Sequence, residues 1–365
     1  MVLSQISLIN FRNFKRAKID FKPQVTVFFG DNAQGKTNLL EAIYLLSTGK
    51  SFRTREDHEL ISWGQAESRV SGKAGFLDIE LTVKPTAKAL LVNKKNSRLA
   101  DLIGSFVTVL FTPSDVEIVS AGPDKRRRFL DQIGSILDKK YLHNLLQLAK
   151  ILRNRNQTLW QLKQGRNLDL LVWDQQLAKV ASAIWDQREA LTLALNTELQ
   201  TNSQRIAGFN LRIEYNPPFQ KLPRTKKEEA YKQKLASLRN EETNKGLTVL
   251  GPHRDDFKII AEEQSGDKIV SKDLSIYGSR GEQRSAALAL KFSEVNLIKQ
   301  EKREAPVLLL DEVLSELDRK HRELLLKEIR KTQAFITTTS LDNLVNKGLD
   351  RIEKYEVFEG SVTAR

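Results

Sequence analysis

The chain has 365 residues, of which 40% are hydrophobic and 29% are charged, and it carries a formal net charge of +13. This composition is typical of a folded globular protein with room for two or three domains. The absence of cysteine excludes disulfides, thiolate nucleophiles and cysteine-based zinc sites. No apolar run approaches the roughly 20 residues needed to span a bilayer, so we expect a cytoplasmic protein with no membrane partner.

The first predicted elements are a strand, a glycine-containing loop and a helix. Val25–Phe29 is a β-branched and aromatic run typical of a buried strand, and residues 38–46 have the apolar spacing of a helix. The loop between them fits the phosphate-binding pattern G-x-x-x-x-G-K-[ST] at every fixed position. Its residues are Gly30, Asp31, Asn32, Ala33, Gln34, Gly35, Lys36 and Thr37.

This strand–loop–helix segment predicts a binding site for ATP. Glycines allow successive backbone N–H groups to surround a phosphate, and the helix N-terminus adds partial positive charge. We expect Lys36 to reach the β- and γ-phosphates, which makes it a catalytic as well as a binding residue, and the Thr37 hydroxyl to ligate Mg²⁺. A chance match in an ordinary loop is the alternative.

The middle of the chain is predicted to be helical. Apolar residues recur at helical spacing over 141–152 and over 177–199, with the polar segment 164–167 between them. This pattern predicts a hairpin of two long helices. The charged segment 221–229, which Pro223 interrupts, predicts an exposed connector.

Positive charge is concentrated in the first two thirds of the chain. Residues 1–112 contain 16 Lys and Arg against 10 Asp and Glu, and residues 113–246 contain 23 against 15, whereas residues 247–365 contain 20 against 21. A clustered basic surface is the electrostatic footprint of nucleic-acid binding, and a solvated lysine-rich surface is the alternative. The candidate DNA contacts are Arg126, Arg127, Arg128, Arg153 and Arg155.

Strand-like sequence returns at Leu247–Leu250 and is followed by a histidine, an arginine and two acids at 253–256. Because Asp255 and Asp256 supply partners for the neighbouring Arg254, we expect a buried salt-bridged turn there and not a catalytic cluster.

Further along, a serine and a glycine precede a helix pattern over 286–292. A serine hydroxyl, a glycine and a helix N-terminus together can face an anion, as in a phosphate loop. An ordinary N-cap is the alternative for Ser279 and Gly281.

The last predicted strand, Val307–Leu310, ends in two carboxylates. At the carboxyl end of a buried strand, Asp311 can hold Mg²⁺, and Glu312 is the natural base for an attacking water. A core strand that ends in solvated acids is the alternative.

Several of these segments carry resemblances to known families. Ser279–Arg284 resembles the signature motif of ABC-type ATPases, and Ser315–Asp318 resembles their dimer-contact loop. Nearly the whole chain resembles the RecF family of bacterial recombination and gap-repair proteins, which are small relatives of SMC-type ATPases. The segments that carry this second resemblance are residues 10–14, the phosphate loop, 46–51, 111–115, 122–131 and 251–256.

The resemblance implies an α/β fold. We expect an ABC-type P-loop ATPase head, a mixed β-sheet with helices, built from residues 1–112 plus 247–365. A mainly helical arm domain at 113–246 would interrupt it. The resemblance further implies that Arg12 approaches the nucleotide phosphates, with an exposed strand-end arginine as the alternative. It implies that a second subunit's ATP is contacted at its γ-phosphate by Ser279, Gly281 and Gln283.

The implied function is a weak ATPase that uses hydrolysis as a switch in DNA repair, DNA replication and the SOS response. ATP binding would join two heads on gapped, single-stranded or double-stranded DNA, and slow hydrolysis would release them. RecR and RecO are the implied partners in directing RecA loading. An ABC transporter ATPase subunit and a P-loop metabolic kinase are the other classes considered. No histidine follows Phe335–Thr339, where many ABC ATPases carry one, so the γ-phosphate sensor is unassigned.

Overall fold

The computed structural model describes residues 2–22, 24–265, 268–341 and 352–365. The chain divides into two compact units, residues 1–115 with 298–365, and residues 116–297. The first unit is therefore assembled from both ends of the sequence, and the second is inserted into it.

A mixed six-stranded sheet of the first unit has the order β15-β14-β3-β13-β12-β8. Its five strands from β14 to β8 are parallel, and β15 pairs antiparallel with β14. The strands are β3 (Val25–Phe29), β8 (Thr108–Phe111), β12 (Val307–Asp311), β13 (Ala334–Thr338), β14 (Ile352–Phe358) and β15 (Ser361–Ala364).

The second sheet of this unit is antiparallel, with six strands in the order β2-β1-β4-β5-β6-β7. Alternating buried and exposed residues along these strands are typical of a sheet with one face on the core. The strands are β1 (Leu3–Phe11), β2 (Phe14–Asp20), β4 (Ser68–Ala74), β5 (Leu77–Lys84), β6 (Ala87–Val92) and β7 (Lys95–Ser97).

Helix α1 (Lys36–Thr48) forms the centre of this unit's core. It is apolar on nearly every face, and ten of its thirteen residues are buried, so it packs between the two sheets within a single hydrophobic cluster. Each fully buried leucine or isoleucine there contributes about 1.5–3 kcal/mol. The helix ends at Gly49, whose φ of 67° suits a left-handed cap. The other α-helices that the described residues place wholly in this unit are α2 (Leu99–Leu102), α11 (Val313–Glu316) and α12 (Arg319–Ile329).

The second unit is mainly helical, with one three-stranded antiparallel sheet of order β11-β10-β9. Its strands are β9 (Asn210–Tyr215), β10 (Phe257–Ser265) and β11 (Lys268–Asp273). Its helices are α3 (Glu117–Ser120), α4 (Pro123–Leu137), α5 (Lys139–Lys163), α6 (Leu171–Ala207), α7 (Arg224–Ser237), α8 (Arg239–Lys245) and α9 (Leu274–Tyr277). Helix α10 (Arg280–Lys302) begins in this unit and ends in the first.

Two buried arginines hold the helices of the second unit together. Arg155 is fully buried and donates to Asp174 at 2.9 Å, to Glu242 at 2.6 Å and to Thr248 at 2.8 Å. These partners belong to α6, α8 and the segment after α8, so one guanidinium joins three parts of the chain. Because each carboxylate partner is also buried, these contacts are structural.

Arg188 makes the second such cluster. Its guanidinium donates to Tyr141 Oη at 3.0 Å, to Asp131 at 2.9 Å, to Asp255 at 3.1 Å and to the Pro252 carbonyl at 2.7 Å. Burial raises the pKa of the Asp255 carboxyl, against the lowering effect of the neighbouring guanidinium. The cluster joins α4, α5 and α6 to the turn before β10.

The fold confirms the α/β class, the predicted strands at 25–29 and 307–310, and the helical hairpin. Residues 247–250 form no strand, because the backbone amides of Thr248 and Val249 donate to the side chains of Asn156 and Glu242 and not to a neighbouring strand. The expected connector at 221–229 becomes helix α7 from Arg224 onward, since Pro223 precedes the first turn as a helix start allows.

The observed division also differs from the predicted boundary at residue 247. Residues 247–297 lie in the second unit, because β10 pairs with β9 along six residues and Asp255 is bonded to α6. The first boundary differs by three residues, at 115 instead of 112. Assignment of 1–112 plus 247–365 to one functional head remains a prediction.

Candidate functional site

The phosphate-type loop and the acidic strand end lie together in the first unit. Strands β3 and β12 both pair with β13 in parallel, so their carboxyl ends meet at one edge of the sheet, where open α/β sheets bind ligands. There Thr37 Oγ1 donates to Asp311 Oδ1 at 2.8 Å, across 274 positions of sequence. The predicted pairing of these two motifs is therefore present in the fold.

Lys36 is held inside the loop that precedes it. Its Nζ donates to the carbonyl oxygens of Gly30 and Asp31 at 2.8 Å each and lies 3.5 Å from Glu312 Oε1. The Lys36 side chain is only 3% exposed, whereas that of Glu312 is 42% exposed. The Lys36 ammonium and the Glu312 carboxylate therefore lie close together at the carboxyl end of the sheet.

Glu312 has a backbone conformation that few residues adopt. Its φ of 54° lies in the left-handed region, at a cost on the order of 1–3 kcal/mol. The Glu312 amide donates to Thr337 Oγ1 at 2.9 Å, and Thr337 in turn donates to Asp311 Oδ1 at 2.8 Å. These two contacts from β13 orient both acids.

The Asp311 carboxyl is in an unfavourable position for a charge. Burial raises its pKa above the ordinary value, although hydrogen bonds from Thr37 and Thr337 act in the opposite direction and the nearby Glu312 charge adds to the increase. A carboxylate that is desolvated and beside a second acid gains from a cation.

Residues Thr37 and Asp311 fit a site for Mg²⁺. Both offer hard oxygen atoms, which Mg²⁺ prefers, and they already share a hydrogen bond. Among the described residues there is no group of three or more His, Cys, Asp or Glu side chains that could hold a metal ion. The arrangement suits an ion that receives its remaining ligands from phosphates and water.

Two glycines of the loop are required by close packing. A Cβ on Gly30 would lie 2.4 Å from the carbonyl oxygen of Val357, and a Cβ on Gly35 would lie 2.6 Å from the Asn13 amide. Both have positive φ, 145° and 116°. The loop is therefore supported from β14 on one side and from the β1–β2 turn on the other.

Further contacts reach the loop through Gln34. Asn13 Nδ2 donates to the Gln34 carbonyl at 2.8 Å, and Gln34 Oε1 accepts from the backbone amide of Glu359 at 2.7 Å. Asn13 also accepts from Asn38 Nδ2 at 2.8 Å. Asn13 was not predicted as a site residue, although it adjoins the predicted Arg12.

Arg12 itself has a different partner from the one expected. Its Nε and Nη2 form a bidentate pair with Glu41 at 2.8 and 2.7 Å, and Nη1 donates to the Glu59 carbonyl at 2.8 Å. Glu41 is fully buried on α1, and a buried carboxylate requires a counter-charge. The guanidinium of Arg12 is therefore paired with Glu41 in this structure, and its approach to a nucleotide phosphate stays a prediction.

The serine-glycine segment in the second unit forms a capping box. Ser279 N donates to Glu282 Oε2 at 2.8 Å, and Glu282 N donates to Ser279 Oγ at 3.3 Å. The alternative considered for Ser279, a helix N-cap, is therefore met. Ser279 and Gly281 are both exposed, and a Cβ on Gly281 would meet nothing within 4 Å. The N-terminus of α10 is therefore open to solvent.

Gln283 is placed differently from its two neighbours in the motif. Its Nε2 donates to the Leu274 carbonyl at 2.8 Å, which ties α10 to the short helix α9. Gln283 therefore positions the segment that leads into Ser279 and does not face outward with it. Ile276 and Tyr277 in this segment are 67% and 70% exposed.

Two of the predicted DNA contacts are unavailable. Arg155 is fully buried in its cluster, and Arg126 is 6% exposed and forms a bidentate pair with Asp256 at 2.6 and 2.8 Å. A guanidinium already held by carboxylates is not available to a DNA phosphate, so the prediction is corrected for both. Arg127 contacts Asp124 and the Asp255 carbonyl.

Arg128 and Arg153 are exposed on α4 and α5. They alone of the five candidates remain open to a DNA phosphate without rearrangement.

The turn at 253–256 is salt-bridged as predicted, but with different partners, and of its four residues only Asp255 is buried. Asp255 is bonded to Arg188, Trp185 and Tyr215, and Asp256 is bonded to Arg126, whereas Arg254 is exposed. Burial lowers the pKa of the His253 imidazole to about 4. Adjacent residues on a tight turn point apart, so more distant arginines serve the two acids.

Thr337 is a site residue that the sequence analysis missed. It lies near the end of a buried strand, in the segment where a histidine was sought, and its hydroxyl contacts both Asp311 and the Glu312 amide. The signal available was a run of threonines at the carboxyl end of a strand beside the acidic one. Glu41, the partner of Arg12, had no comparable signal because it lies within an apolar helix pattern.

Comparison with known proteins gives a consistent result over the whole chain. A family described as RecF/RecN/SMC N terminal domain matches residues 2–362. The chain is 38% identical over 379 residues to the DNA replication and repair protein RecF of a Geobacillus species, covering 100% of this chain and 99% of that protein. It is 37% identical over 356 residues to RecF of Alkaliphilus oremlandii, covering 94% and 95%.

Comparison with solved structures agrees with these sequence matches. The chain is similar to a structure described as the recombination mediator protein RecF with ATP in the RecFOR pathway, at 35% identity, with a TM-score of 0.89 and coverage of 100% and 99%. It also matches an Smc head bound to the C-terminal winged-helix domain of ScpA, with a TM-score of 0.58 at 17% identity. The second likeness concerns the fold alone.

Proposed function

The chain belongs to the RecF family within the RecF/RecN/SMC N-terminal domain group, and from this premise we propose that it is an ATP-gated DNA-binding protein of replication and recombinational repair. ATP binding joins two copies on DNA, and slow hydrolysis releases them. The observation that carries the proposal is the contact between Thr37 and Asp311 at 2.8 Å, because it unites the two halves of a nucleotide site.

ATP binding follows from the geometry of the loop. Backbone N–H groups between Gly30 and Thr37 and the N-terminus of α1 face the phosphates. The Lys36 ammonium exchanges its two carbonyl contacts for phosphate oxygens. Thr37 and Asp311 would hold Mg²⁺, which would neutralise phosphate charge.

Hydrolysis is assigned to Glu312. Its side chain is half-exposed and shares a space with Lys36, so it can accept a proton from a water that approaches the γ-phosphate. Thr337 orients the Glu312 backbone and is our candidate for the γ-phosphate sensor that the sequence left unassigned.

Dimerisation is assigned to the exposed end of α10. Ser279 and Gly281 of one copy face the γ-phosphate held by the other, and Gln283 holds the segment in place. This arrangement sandwiches each ATP between two copies and doubles the basic surface offered to DNA, which strengthens binding through bivalency.

The cellular setting follows the family. We propose a cytoplasmic protein that acts with RecR and RecO to direct RecA onto gapped DNA. In the described part of the chain, no helix is both long and apolar enough to cross a membrane.

Substitution of Lys36 tests the proposal. K36M removes the ammonium while keeping most of the buried side-chain volume, so it should abolish dimers that form with a non-hydrolysable ATP analogue. Gel filtration with and without the analogue measures this. K50M, at an exposed lysine after α1, is the control. Dimers that persist in K36M, or a wild type that stays monomeric with the analogue, contradict the proposal.

Substitution of Glu312 tests the assigned base separately. E312Q keeps the side-chain shape but cannot accept a proton, so phosphate release should fall by roughly 100-fold or more while dimers on DNA persist longer. A turnover assay and a DNA dissociation assay measure the two effects. Normal turnover in E312Q would place the base elsewhere.

A further inference from the structure

A basic cleft lies on the second unit, and none of its lining residues belongs to the nucleotide site. It has a volume of about 420 Å³ and is lined by Lys139, Lys140, His143, Asn144, Ala183, Asp186, Gln187 and Arg224. We propose that this cleft binds phosphate groups of the DNA backbone. The inference rests on the proposed function, to which it adds the place of DNA contact.

Three cations from two helices converge on this cleft. Lys139 and Lys140 open α5, and Arg224 opens α7. All three side chains are exposed. Among the described residues neither lysine has a carboxylate within ion-pair distance, and Arg224 has only a loose contact of 3.9 Å with Glu228. Their charges therefore remain available to a ligand.

The acid that lines the cleft is already neutralised. Asp186 accepts from Lys227 Nζ at 2.7 Å, and Lys227 is only 2% exposed, so a buried cation is fixed beside the partly exposed carboxylate. The carboxylate of nearby Asp138 is occupied by the Lys140 amide and by Gln187 Nε2, at 2.7 and 2.8 Å. The cleft consequently keeps a net positive charge.

Hydrogen bonds give the cleft a fixed shape. Asn144 Nδ2 donates to Gln187 Oε1 at 3.0 Å, and Gln187 donates to Asp138. These linked hydrogen bonds join the start of α5 to the middle of α6. The cations thus project from a rigid floor, which reduces the entropic cost when an anion binds.

The lining favours a nucleic acid over an acidic protein. Protein interfaces are anchored by buried aromatic and apolar side chains, whereas Ala183 is the one apolar residue in this lining. Contacts to DNA phosphates need only cations and hydrogen-bond donors, and they carry no sequence preference. The exposed lysines at 221 and 226 extend the positive surface beside Arg224.

The test compares two triple variants that remove the same amount of charge. K139Q/K140Q/R224Q empties the cleft of its cations, and K150Q/K179Q/K234Q removes three exposed lysines of α5, α6 and α7 that do not line it. Each protein, loaded with a non-hydrolysable ATP analogue, is titrated with fluorescein-labelled duplex DNA between about 50 and 200 mM salt. Dimerisation is measured on the same samples.

The cleft variant should dimerise normally but bind DNA more weakly, on the order of tenfold or more. Its plot of log affinity against log salt should be shallower by about 0.9 for each phosphate that the protein no longer neutralises, and so by up to about 3 in total. The control triple should keep the wild-type slope.

Three results overturn the inference while leaving the proposed function intact. One is unchanged affinity and slope in the cleft variant. Another is an equal decrease of affinity in both triples, which would indicate a diffuse field. The third is normal DNA binding by a cleft variant that no longer binds poly-glutamate, which would assign the cleft to an acidic protein. A wild type that dimerises but never binds DNA would instead refute the proposed function, and the inference with it.

Discussion

The buried charged residues of the two units differ in the kind of group to which they are hydrogen-bonded. In the first unit, Lys36 and Asp311 are bonded mainly to neutral carbonyls and hydroxyls, and the nearest opposite charge of Lys36 lies 3.5 Å away on a half-exposed side chain. In the second unit, Arg155 is fully enclosed by two buried carboxylates and a hydroxyl.

This difference distinguishes a candidate binding site, around Lys36 and Asp311, from a structural scaffold, the buried salt-bridge cluster around Arg155. A charge whose hydrogen bonds are all made to buried opposite charges has no capacity left for a ligand, and its removal leaves unpaired charge behind. A charge that is desolvated but paired only with neutral groups gains from an incoming ion. A structural charge is therefore distinguished from a binding charge by whether it already contacts buried opposite charges, and not by its residue type.

Breaking the scaffold should give the largest effect. R155M leaves Glu242 buried without a cation, while Asp174 keeps only its contact with Arg239, so the free energy of unfolding should fall by about 3–5 kcal/mol. Urea denaturation followed by circular dichroism measures this. R153M, two residues away on the exposed face of α5, should change stability by less than about 0.5 kcal/mol. A decrease below about 1 kcal/mol in R155M would erase the contrast between the two groups.

A drop in pH should weaken the scaffold through His253. Its pKa falls from an ordinary 6.5 to about 4 in the folded protein, so the unfolded chain binds more protons between these values. The contribution of His253 to the free energy of unfolding is fully present above its pKa in the unfolded chain. It is lost as the pH falls toward its pKa in the folded protein. Between pH 7 and 5 the decrease should be about 2 kcal/mol.

The H253Q variant isolates this contribution. Glutamine does not titrate, so its free energy of unfolding should decline less than that of the wild type over the same pH range. Denaturation curves at pH 7, 6 and 5 measure the difference. Parallel curves for both proteins would show that the His253 imidazole is not desolvated as the structure places it.

Ser279 tests whether an exposed polar group in the second unit can belong to the site. S279A and E282A each remove one half of the capping box and should lower stability by about 1 kcal/mol. Only S279A should abolish dimers formed with an ATP analogue, as measured by gel filtration. Equal impairment of dimerisation in the two variants would reduce Ser279 to a helix cap.

Removal of the Asp311 charge should have the smallest effect on stability, and in the opposite direction. Its raised pKa means that the ionised carboxyl destabilises the folded protein above that pKa, and the penalty fades as pH falls. D311N retains an oxygen acceptor for Thr37 and Thr337, so the nucleotide-free protein should gain roughly 0.5–1 kcal/mol at neutral pH. A destabilised D311N would place Asp311 with the scaffold.

The same variant should lose the stabilisation that Mg²⁺ and ATP provide. Thermal melting with and without both ligands measures this. A D311N variant that responds to the ligands as strongly as the wild type would contradict the assigned metal site.

The sequence was sufficient where a pattern is local. The phosphate loop, the strands on either side of the site and the helical hairpin are each contained in short segments whose apolar period and glycines specify the conformation. The proximity of the motifs that contain Lys36, Thr37, Asp311 and Glu312 was accordingly predictable from the sequence, and their action as one nucleotide site stays a prediction.

The sequence did not reveal contacts that depend on a distant partner. Helical spacing places Arg155 in line with the buried Ile151 and Leu159 of α5, but its partner Glu242 lies 87 positions later. Arg12 meets Glu41 across 29 positions, and the assignment of residues 247–297 depends on the pairing of β10 with β9. Such encounters are set by tertiary packing, which no local period encodes.

The order of strands around the phosphate loop has a consequence for synthesis of the protein. Strand β3 is made early, but its two sheet neighbours are β13 and β14, and Gly30 packs against Val357. A nascent chain still on the ribosome lacks these supports until more than 300 further residues have been translated. The packing that supports the loop is thereby deferred until the polypeptide is nearly finished.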